Sequence, residues 1–255
     1  MTGARAMAAI LAAAAIALSP SLGHAADAKL GDRHADWFGF YKLASGKDLA
    51  GFTPENQNLR PVVVAHLQPW ARLKMEQTNG VADDTGATCG LDGIFRLWLR
   101  SGGFTWVPHG NQILMISYGV YSGGVRRFYL DRPHTKYPPP TWNGQSVARW
   151  EGQTLVVDTI GFNDKSWLMS AMEPHTEALH VVERIRMAAP ELLEIHSVVE
   201  DRLALTSPYT FTLYFKRTGD EYIERVCSGD PGEQRQWAGW QQKAIKAGMR
   251  PAPPR

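Results

Sequence analysis

The alternation of apolar and polar residues predicts several β-strands in the second half of this 255-residue chain. Between Tyr209 and Arg217, large apolar side chains occupy every second position, a period that fits a strand and not a helix. The segments Gln145–Trp150 and Gln153–Ile160 flank Glu151-Gly152, a short connection in which glycine can adopt the positive φ of a tight turn. These two segments are therefore predicted to form a hairpin.

A second hairpin is predicted for His180–Met187 and Leu192–Asp201, which are separated by residues 188–191. Shorter strand patterns precede these hairpins, at Ile94–Leu99, Ile113–Tyr118 and Val125–Leu130. Many short strands with hairpin connections predict a mainly β fold. We expect an antiparallel β-barrel or a strongly curved sandwich, calycin- or lipocalin-like, with a few short helices.

One helix and one long loop complete the predicted elements. Pro69–Thr78 is predicted to be a short helix, because proline suits a first turn and Gly80 can end the helix. Residues 131–141 contain four prolines and are predicted to form an extended loop. No pattern assigns the N-terminal segment 26–60, whereas residues 233–255 are predicted to form a helical tail.

The N-terminus has the layout of a secretory signal peptide. Residues 1–5 are positively charged, residues 6–18 are almost wholly apolar, and small residues follow up to Ala25 and Ala26. The apolar run is shorter than the roughly 20 residues that span a bilayer, which disfavours a membrane anchor. We therefore expect a signal peptide over residues 1–25, cleavage near Ala25, a periplasmic or secreted location, and one β-rich domain over residues 26–255 without stable membrane insertion.

Charge and cysteine content narrow the partners and the chemistry. The chain has 27 basic and 25 acidic residues and no basic run, so that nucleic acid is not an expected partner. Cys89 and Cys227 are a candidate disulfide in an oxidising compartment, with two buried free thiols as the alternative. The sequence contains no glycine-rich phosphate loop, paired CxxC or HExxH motif. Neither an organic cofactor nor a metal is therefore expected.

A long motif begins at Trp142 and reads WxGxSxxxWEGxTLVVxTxGFND, followed by PHTxxLHVxER and then by LEI and ED. On this motif the chain resembles an uncharacterised family of exported bacterial proteins. The resemblance extends from Trp142 to about Tyr209, and it includes more weakly the region from Pro69 and both cysteines. It implies export but no particular reaction, and the candidate site therefore depends on residue chemistry.

Titratable residues are dense between Trp142 and Glu200, which makes this stretch the candidate site. His175, His180 and Glu183 are standard zinc donors. Side chains alternate along a strand, however, so that His180 and Glu183 are predicted to point to opposite faces, which disfavours a metal site. General acid–base chemistry between a histidine and a carboxylate remains, and so does a purely structural role for both histidines.

Asp158 lies among apolar strand residues and needs a partner, because an unpaired buried carboxylate is costly. The expected partner is an arginine such as Arg126, Arg149 or Arg184, in either a catalytic or a structural pair. A serine nucleophile is not expected, because Ser146 is followed by a strand and a tight hairpin and not by a helix.

Aromatic residues crowd the middle of the chain, and most of them are expected in the core. Some can line a cavity for a small molecule. The ligand-binding candidates are Trp142, Trp167, Tyr118, Tyr129 and Asp164.

Two functions follow from these features. The favoured hypothesis is a periplasmic enzyme that performs acid–base chemistry on a hydrophobic, preferably aromatic, small molecule, as a lyase, isomerase or hydrolase without an organic cofactor. Its predicted catalytic residues are His175, His180, Asp158, Glu183 and Arg126. The alternative is a lipocalin-like protein that binds a small molecule without catalysis. An enzyme requires a histidine–carboxylate contact that faces the ligand, whereas a carrier requires an apolar pocket.

Overall fold

A computed structural model describes most of the region between residues 34 and 219. The described residues are 34, 37–52, 59–80, 82–88, 90–99, 101–119, 124–169 and 172–219. The predicted signal peptide, the predicted tail at 233–255 and both cysteines of the predicted disulfide lie outside these residues.

Nine strands of the described chain close into a barrel, in which consecutive strands pair and the last strand pairs with the first. These strands are β1 (Gly39–Leu43), β2 (Ser101–His109), β3 (Gln112–Gly119), β4 (Gly124–Leu130), β5 (Gln145–Glu151), β6 (Thr154–Ile160), β7 (His180–Ala189), β8 (Leu192–Glu200) and β9 (Tyr209–Thr218). The pairing of β4 with β5 is parallel, and the other pairings are antiparallel. The predicted barrel is thus confirmed.

Both predicted hairpins are present. The β5–β6 hairpin turns at Gly152, whose φ of 61° lies in the left-handed region that favours glycine. The β7–β8 hairpin turns at Glu191, with a bulge between Met187 and Ala189. Along β7 and β8 the burial of side chains alternates, whereas β6 has three consecutive buried residues, Leu155 to Val157.

The described part of the chain contains three α-helices, α1 (Leu59–His66), α2 (Pro69–Gln77) and α3 (Ile94–Leu99). Single 3₁₀ turns lie at Gly46–Leu49 and Thr85–Thr88. The helix predicted from Pro69 is confirmed as α2. In the described residues, none of the helices has the length and apolarity needed to cross a membrane.

The prediction of a strand at Ile94–Leu99 is wrong, because this segment is the helix α3. Its residues are buried almost all round, Arg96 included, so that the sequence shows neither the strand period nor the helix period. Trp98 of α3 packs edge-to-face with Phe104 of β2 and at a tilt against Phe215 of β9. Its indole Nε1 donates to Glu183 of β7 over 2.8 Å. Because these strands surround Trp98, α3 plugs the interior of the barrel.

A buried ion pair holds this plug in place. Arg96 of α3 donates to both carboxylate oxygens of Asp84 over 2.6 and 3.0 Å, and both side chains are buried. Two charges in a buried site are tolerated only when they are paired in this way. The loop that precedes α3 is therefore tied to the helix that fills the barrel.

Candidate functional site

Strands β6 and β7 divide the predicted catalytic residues between the two faces of the barrel wall. Glu183 is only 1% exposed and points inside, whereas His180 on the same strand is half-buried on the outer face. The predicted separation of these two side chains is therefore confirmed. Asp158 lies with His180 on the outer face, and Arg126 lies with Glu183 inside.

The outer face carries a chain of hydrogen bonds that we call the outer-face cluster, formed by His134, Asp158, His180 and Glu200. Nε2 of His134 donates to one oxygen of Asp158 over 2.8 Å, and Nε2 of His180 donates to the other over 3.2 Å. Nδ1 of His180 lies 2.5 Å from Oε1 of Glu200. One carboxylate thus joins a loop histidine to a strand histidine.

These contacts fix the charge of His180. The hydrogen bond that His180 donates to Asp158 raises the pKa of His180 to about 9 against the opposing effect of burial, and the bond that it donates to Glu200 adds to this rise. The hydrogen bond with His180 in turn lowers the pKa of Asp158 below its ordinary value. At neutral pH His180 is therefore an imidazolium that donates both N–H groups to carboxylates, and it has no lone pair with which to accept a proton.

The arginine partner expected for Asp158 is absent from its described contacts, where histidines take that place. The register explains the difference, because Asp158 pairs with Val147 and Val182, whereas Arg149 and Arg184 lie two residues nearer the hairpin turns. Both arginines donate instead to Glu151 at the end of β5, Arg149 over 2.7 Å and Arg184 over 3.0 Å.

The inner face carries a second cluster, the interior network, formed by Trp98, Arg126, Ser146, Thr159 and Glu183. The Arg126 guanidinium forms a bidentate salt bridge with the Glu183 carboxylate. It also donates to Ser146 Oγ over 3.2 Å and to Thr159 Oγ1 over 2.9 Å. Trp98 supplies a further donor to Glu183. The network connects four strands and the plug helix, and its members are closed off from solvent. In this geometry it stabilises the filled barrel.

His175 lies apart from both clusters, in the loop before β7. It is buried, and burial lowers its pKa, so that the ring is neutral at neutral pH. Ser166 Oγ donates to His175 Nε2 over 2.8 Å, and His175 Nδ1 donates to the carbonyl oxygen of Thr176 over 3.1 Å. A neutral histidine beside a serine has the arrangement of a nucleophile and its base. Ser166 is buried, however, beneath Gly93, where an added Cβ would lie 2.5 Å from Ser166 Oγ.

Two of the described aromatic candidates lie against arginines. The ring centre of Tyr129 lies 3.7 Å from the guanidinium carbon of Arg132, and that of Trp167 lies 5.3 Å from the guanidinium carbon of Arg96. Of the remaining candidates, Trp142 is half-buried and Asp164 is exposed. The side chain of Tyr118 lies outside the described part of the chain. Within the described residues, no ring contact joins one of these aromatic candidates to another.

A cleft of about 460 Å³ opens at the end of the barrel where β7 begins and β8 ends. We call it the rim cleft. Its polar wall is formed by His180, Glu200, Arg202 and other residues, and its apolar lining comes from Ala178, Leu205 and Pro208. The junction of α1 and α2 closes one side, where Gln68 Nε2 donates to the carbonyl oxygen of Leu205 over 3.1 Å. Two members of the outer-face cluster, His180 and Glu200, thus line the rim cleft.

Asp201 fixes the shape of the loop beneath the rim cleft. Its buried carboxylate accepts hydrogen bonds from the backbone N–H of Thr176 over 2.6 Å, of Leu203 over 3.0 Å and of Ala204 over 3.1 Å. These donors satisfy the charge of Asp201 inside the protein. The neighbouring Arg202 is exposed, and no carboxylate partner is described for it within residues 34–219.

Sequence reasoning missed three residues of these sites. His134 lies in the proline-rich loop, Ser166 in the segment between β6 and β7, and Arg202 directly after β8. None of them lies in a segment with a strand or helix period, and their partners come from distant parts of the sequence. For Arg202 alone the sequence contained a usable signal, because this basic residue directly follows Glu200 and Asp201 at the end of the predicted strand.

No family model matches the chain, and no curated protein matches it. Among solved structures, the chain is similar to a protein described as the REP1-NXSQ fatty acid transporter and to a mutant of that transporter. Each is 12% identical to this chain with a TM-score of 0.35. The matches cover 73% and 72% of this chain and 99% of the transporter chains. This likeness is too distant to carry a function from one chain to the other.

Proposed function

We propose that this protein binds a small organic anion with an apolar body in the rim cleft and does not transform it. The observation that carries the proposal is the lining of the cleft, which combines the exposed guanidinium of Arg202 with apolar side chains. A volume of about 460 Å³ lies within the range of small-molecule sites.

The charges around the cleft favour an anion. The carboxylate of Asp201 is buried and satisfied by backbone donors, and Glu200 is engaged by His180. Arg202 remains as the exposed charge without a described partner, and a guanidinium binds carboxylate or sulfonate groups with two parallel hydrogen bonds. Ala178 and Pro208 then provide apolar surface for the body of the ligand.

Binding is favoured over acid–base catalysis by the state of the histidines. His180 faces the cleft but donates both of its N–H groups to carboxylates, so that it cannot act as a base at neutral pH. His175 is neutral but buried with Ser166. The barrel interior is filled by the α3 plug and the interior network, and for this reason we place the ligand at the rim.

The proposal is tested by titration with the fluorescent aromatic anion anilinonaphthalene sulfonate. We expect saturable binding to one site, and Arg202→Gln should weaken it about tenfold, because a charge-assisted hydrogen bond is lost. Ala178→Trp should weaken binding by filling the cleft. Arg127→Gln, a change on the exposed side of β4, is the matched control and should leave the affinity unchanged.

Two outcomes contradict the proposal. Saturable binding that is equally strong in the wild type, Arg202→Gln and Ala178→Trp places the ligand elsewhere. Turnover that is lost in His180→Gln, found by incubating the protein with aromatic esters and carboxylates, supports the enzyme hypothesis instead.

Export remains part of the proposal. If the N-terminal segment is a signal peptide, protein recovered from the periplasm of an expressing bacterium begins near Ala26, and mass spectrometry of the intact protein shows this. Cys89 and Cys227 are then expected to resist alkylation until a reductant is added. An intact N-terminus in the cytoplasmic fraction contradicts this assignment.

A further inference from the structure

An apolar patch lies beside the rim cleft on the outside of the molecule. Its members are Trp70, Leu73 and Leu203, which are 43%, 53% and 47% exposed. Trp70 Nε1 donates to the carbonyl oxygen of Leu203 over 2.8 Å, which joins the helix α2 to the loop after β8. Leu73 is one turn after Trp70 on α2, so that both side chains lie on one side of the helix. The three residues form one continuous surface.

Positive charges surround this patch. Arg72 and Lys74 are exposed on α2, and Arg202 is exposed next to Leu203. Nη2 of Arg72 donates to the last-turn carbonyl oxygen of Val64 in α1 over 2.6 Å, which holds the side chain along the surface. Glu76 is the single acidic residue within α2. The surface therefore combines apolar side chains with an excess of cations.

We propose that this patch docks the protein onto the surface of an anionic lipid bilayer. Tryptophan and leucine can enter the boundary between headgroups and acyl chains, while arginine and lysine contact lipid phosphates. The α2 helix has only nine residues, so that the contact is shallow and peripheral. The basic residues around the patch favour an anionic membrane over a neutral one, because they are attracted to the negative charge of its surface.

Two other exposed apolar residues of the described chain show why this patch differs. Tyr137 is 81% exposed and lies in the proline-rich loop, and Val125 lies on the outer face of β4. Isolated exposed apolar residues of this kind are ordinary on protein surfaces. They therefore provide matched controls for substitutions in the patch.

The experiment measures sedimentation of the protein with vesicles of phosphatidylcholine, with and without phosphatidylglycerol. We expect binding to the anionic vesicles that weakens with added salt. Leu73→Glu should lower the partition coefficient about tenfold or more, because it removes an inserted side chain and adds a negative charge. Lys74→Gln should lower it by a smaller factor. Tyr137→Ala and Val125→Glu should leave it unchanged.

The variants avoid residues of the rim cleft, so that failure of this proposal is distinguishable from failure of ligand binding. Every variant has the same apolar N-terminal segment, so that any vesicle binding by this segment is equal in all of them. The comparison therefore uses only the differences in partition coefficient between variants. Equal partition of the wild type, Leu73→Glu and Val125→Glu overturns the proposal. A wild-type dimer in solution that becomes a monomer in Leu73→Glu also overturns it, because the patch is then a contact between two copies of the chain.

Discussion

The interior network and the outer-face cluster use similar groups on the same two strands, yet they have different physical roles. Glu183 pairs in register with Val157, the neighbour of Asp158, so that the two carboxylates are close along the wall but lie on opposite faces. Glu183 is satisfied by an arginine and an indole in the closed interior. Asp158 is satisfied by two histidines on a half-open surface.

The difference shows that burial, and not residue type, decides how a charged pair contributes. An interior pair is costly to break, because the remaining charge has no access to water. A surface pair is screened by solvent, and its loss is small. The same solvent access allows the outer-face cluster to exchange protons with water.

The largest expected effect is therefore that of breaking the interior pair. Glu183→Gln leaves the buried Arg126 without a countercharge and should lower the free energy of unfolding by about 3–5 kcal/mol. Urea denaturation followed by tryptophan fluorescence measures this loss. Glu200→Gln, which breaks the exposed pair with His180, is the control and should cost less than about 1 kcal/mol. Equal losses in the two variants contradict the contrast between the faces.

A smaller effect is expected when the interior network loses one donor. Trp98→Phe keeps an aromatic ring in the plug but removes the N–H that binds Glu183, and the free energy of unfolding should fall by about 1–2 kcal/mol. Trp70→Phe removes a comparable hydrogen bond at the surface, where water replaces it. Its denaturation midpoint should change much less, and a larger shift in Trp70→Phe than in Trp98→Phe contradicts this explanation.

In the outer-face cluster, single substitutions should have modest and coupled effects. Asp158→Asn and His180→Gln should each lower the free energy of unfolding by about 1 kcal/mol. The double variant should lose less than the sum of the two, by about 0.5 kcal/mol or more, because the same contact is removed in both. Full additivity in this double-mutant cycle shows that the hydrogen bond between the two side chains contributes nothing to stability.

The smallest effect is a pH dependence that comes from His180. Its pKa of about 9 in the folded protein exceeds the ordinary value of 6.5. Its contribution to stability is therefore fully present below pH 6.5 and is lost as the pH rises towards about 9. Asp158 acts in the opposite direction, since its lowered pKa gives a contribution that is lost as the pH falls below its ordinary value of 3.8.

This dependence is measured by comparing urea denaturation of the wild type and His180→Gln between neutral and alkaline pH. The difference between the two proteins should shrink as the pH rises. An NMR titration of the His180 ring should show protonation persisting well above pH 6.5. A midpoint at or below that value contradicts the assignment of both N–H groups to carboxylates.

The sequence predicted the strands from β3 to β9, which are marked by apolar patterns and by turns. The alternation along β7 and β8 identified the second hairpin, and the same period separated His180 from Glu183. The strand β2 was missed, because Gly102, Gly103 and Pro108 interrupt its pattern. At Gly103 the close approach of Phe40, 2.4 Å from an added Cβ, and a φ of 136° require glycine inside a strand.

The candidate site was predicted less completely than the fold, for a physical reason. A strand period states which face a residue occupies but not which loop covers it. His134 reaches Asp158 across 24 positions of sequence, from a loop that has no period of its own. The α3 plug was likewise invisible as a helix, because a segment enclosed on all sides needs no polar face.

The parallel junction between β4 and β5 has a consequence for the outer-face cluster. A ring of nine strands, the number in the described chain, cannot be antiparallel throughout, because an odd number of reversals does not restore the starting direction. The connection at 131–144 must therefore double back before β5 begins, and His134 lies on this return path. An even-numbered ring could replace the return path with a hairpin. The imidazole that binds Asp158 is thus present because of the parity of the barrel.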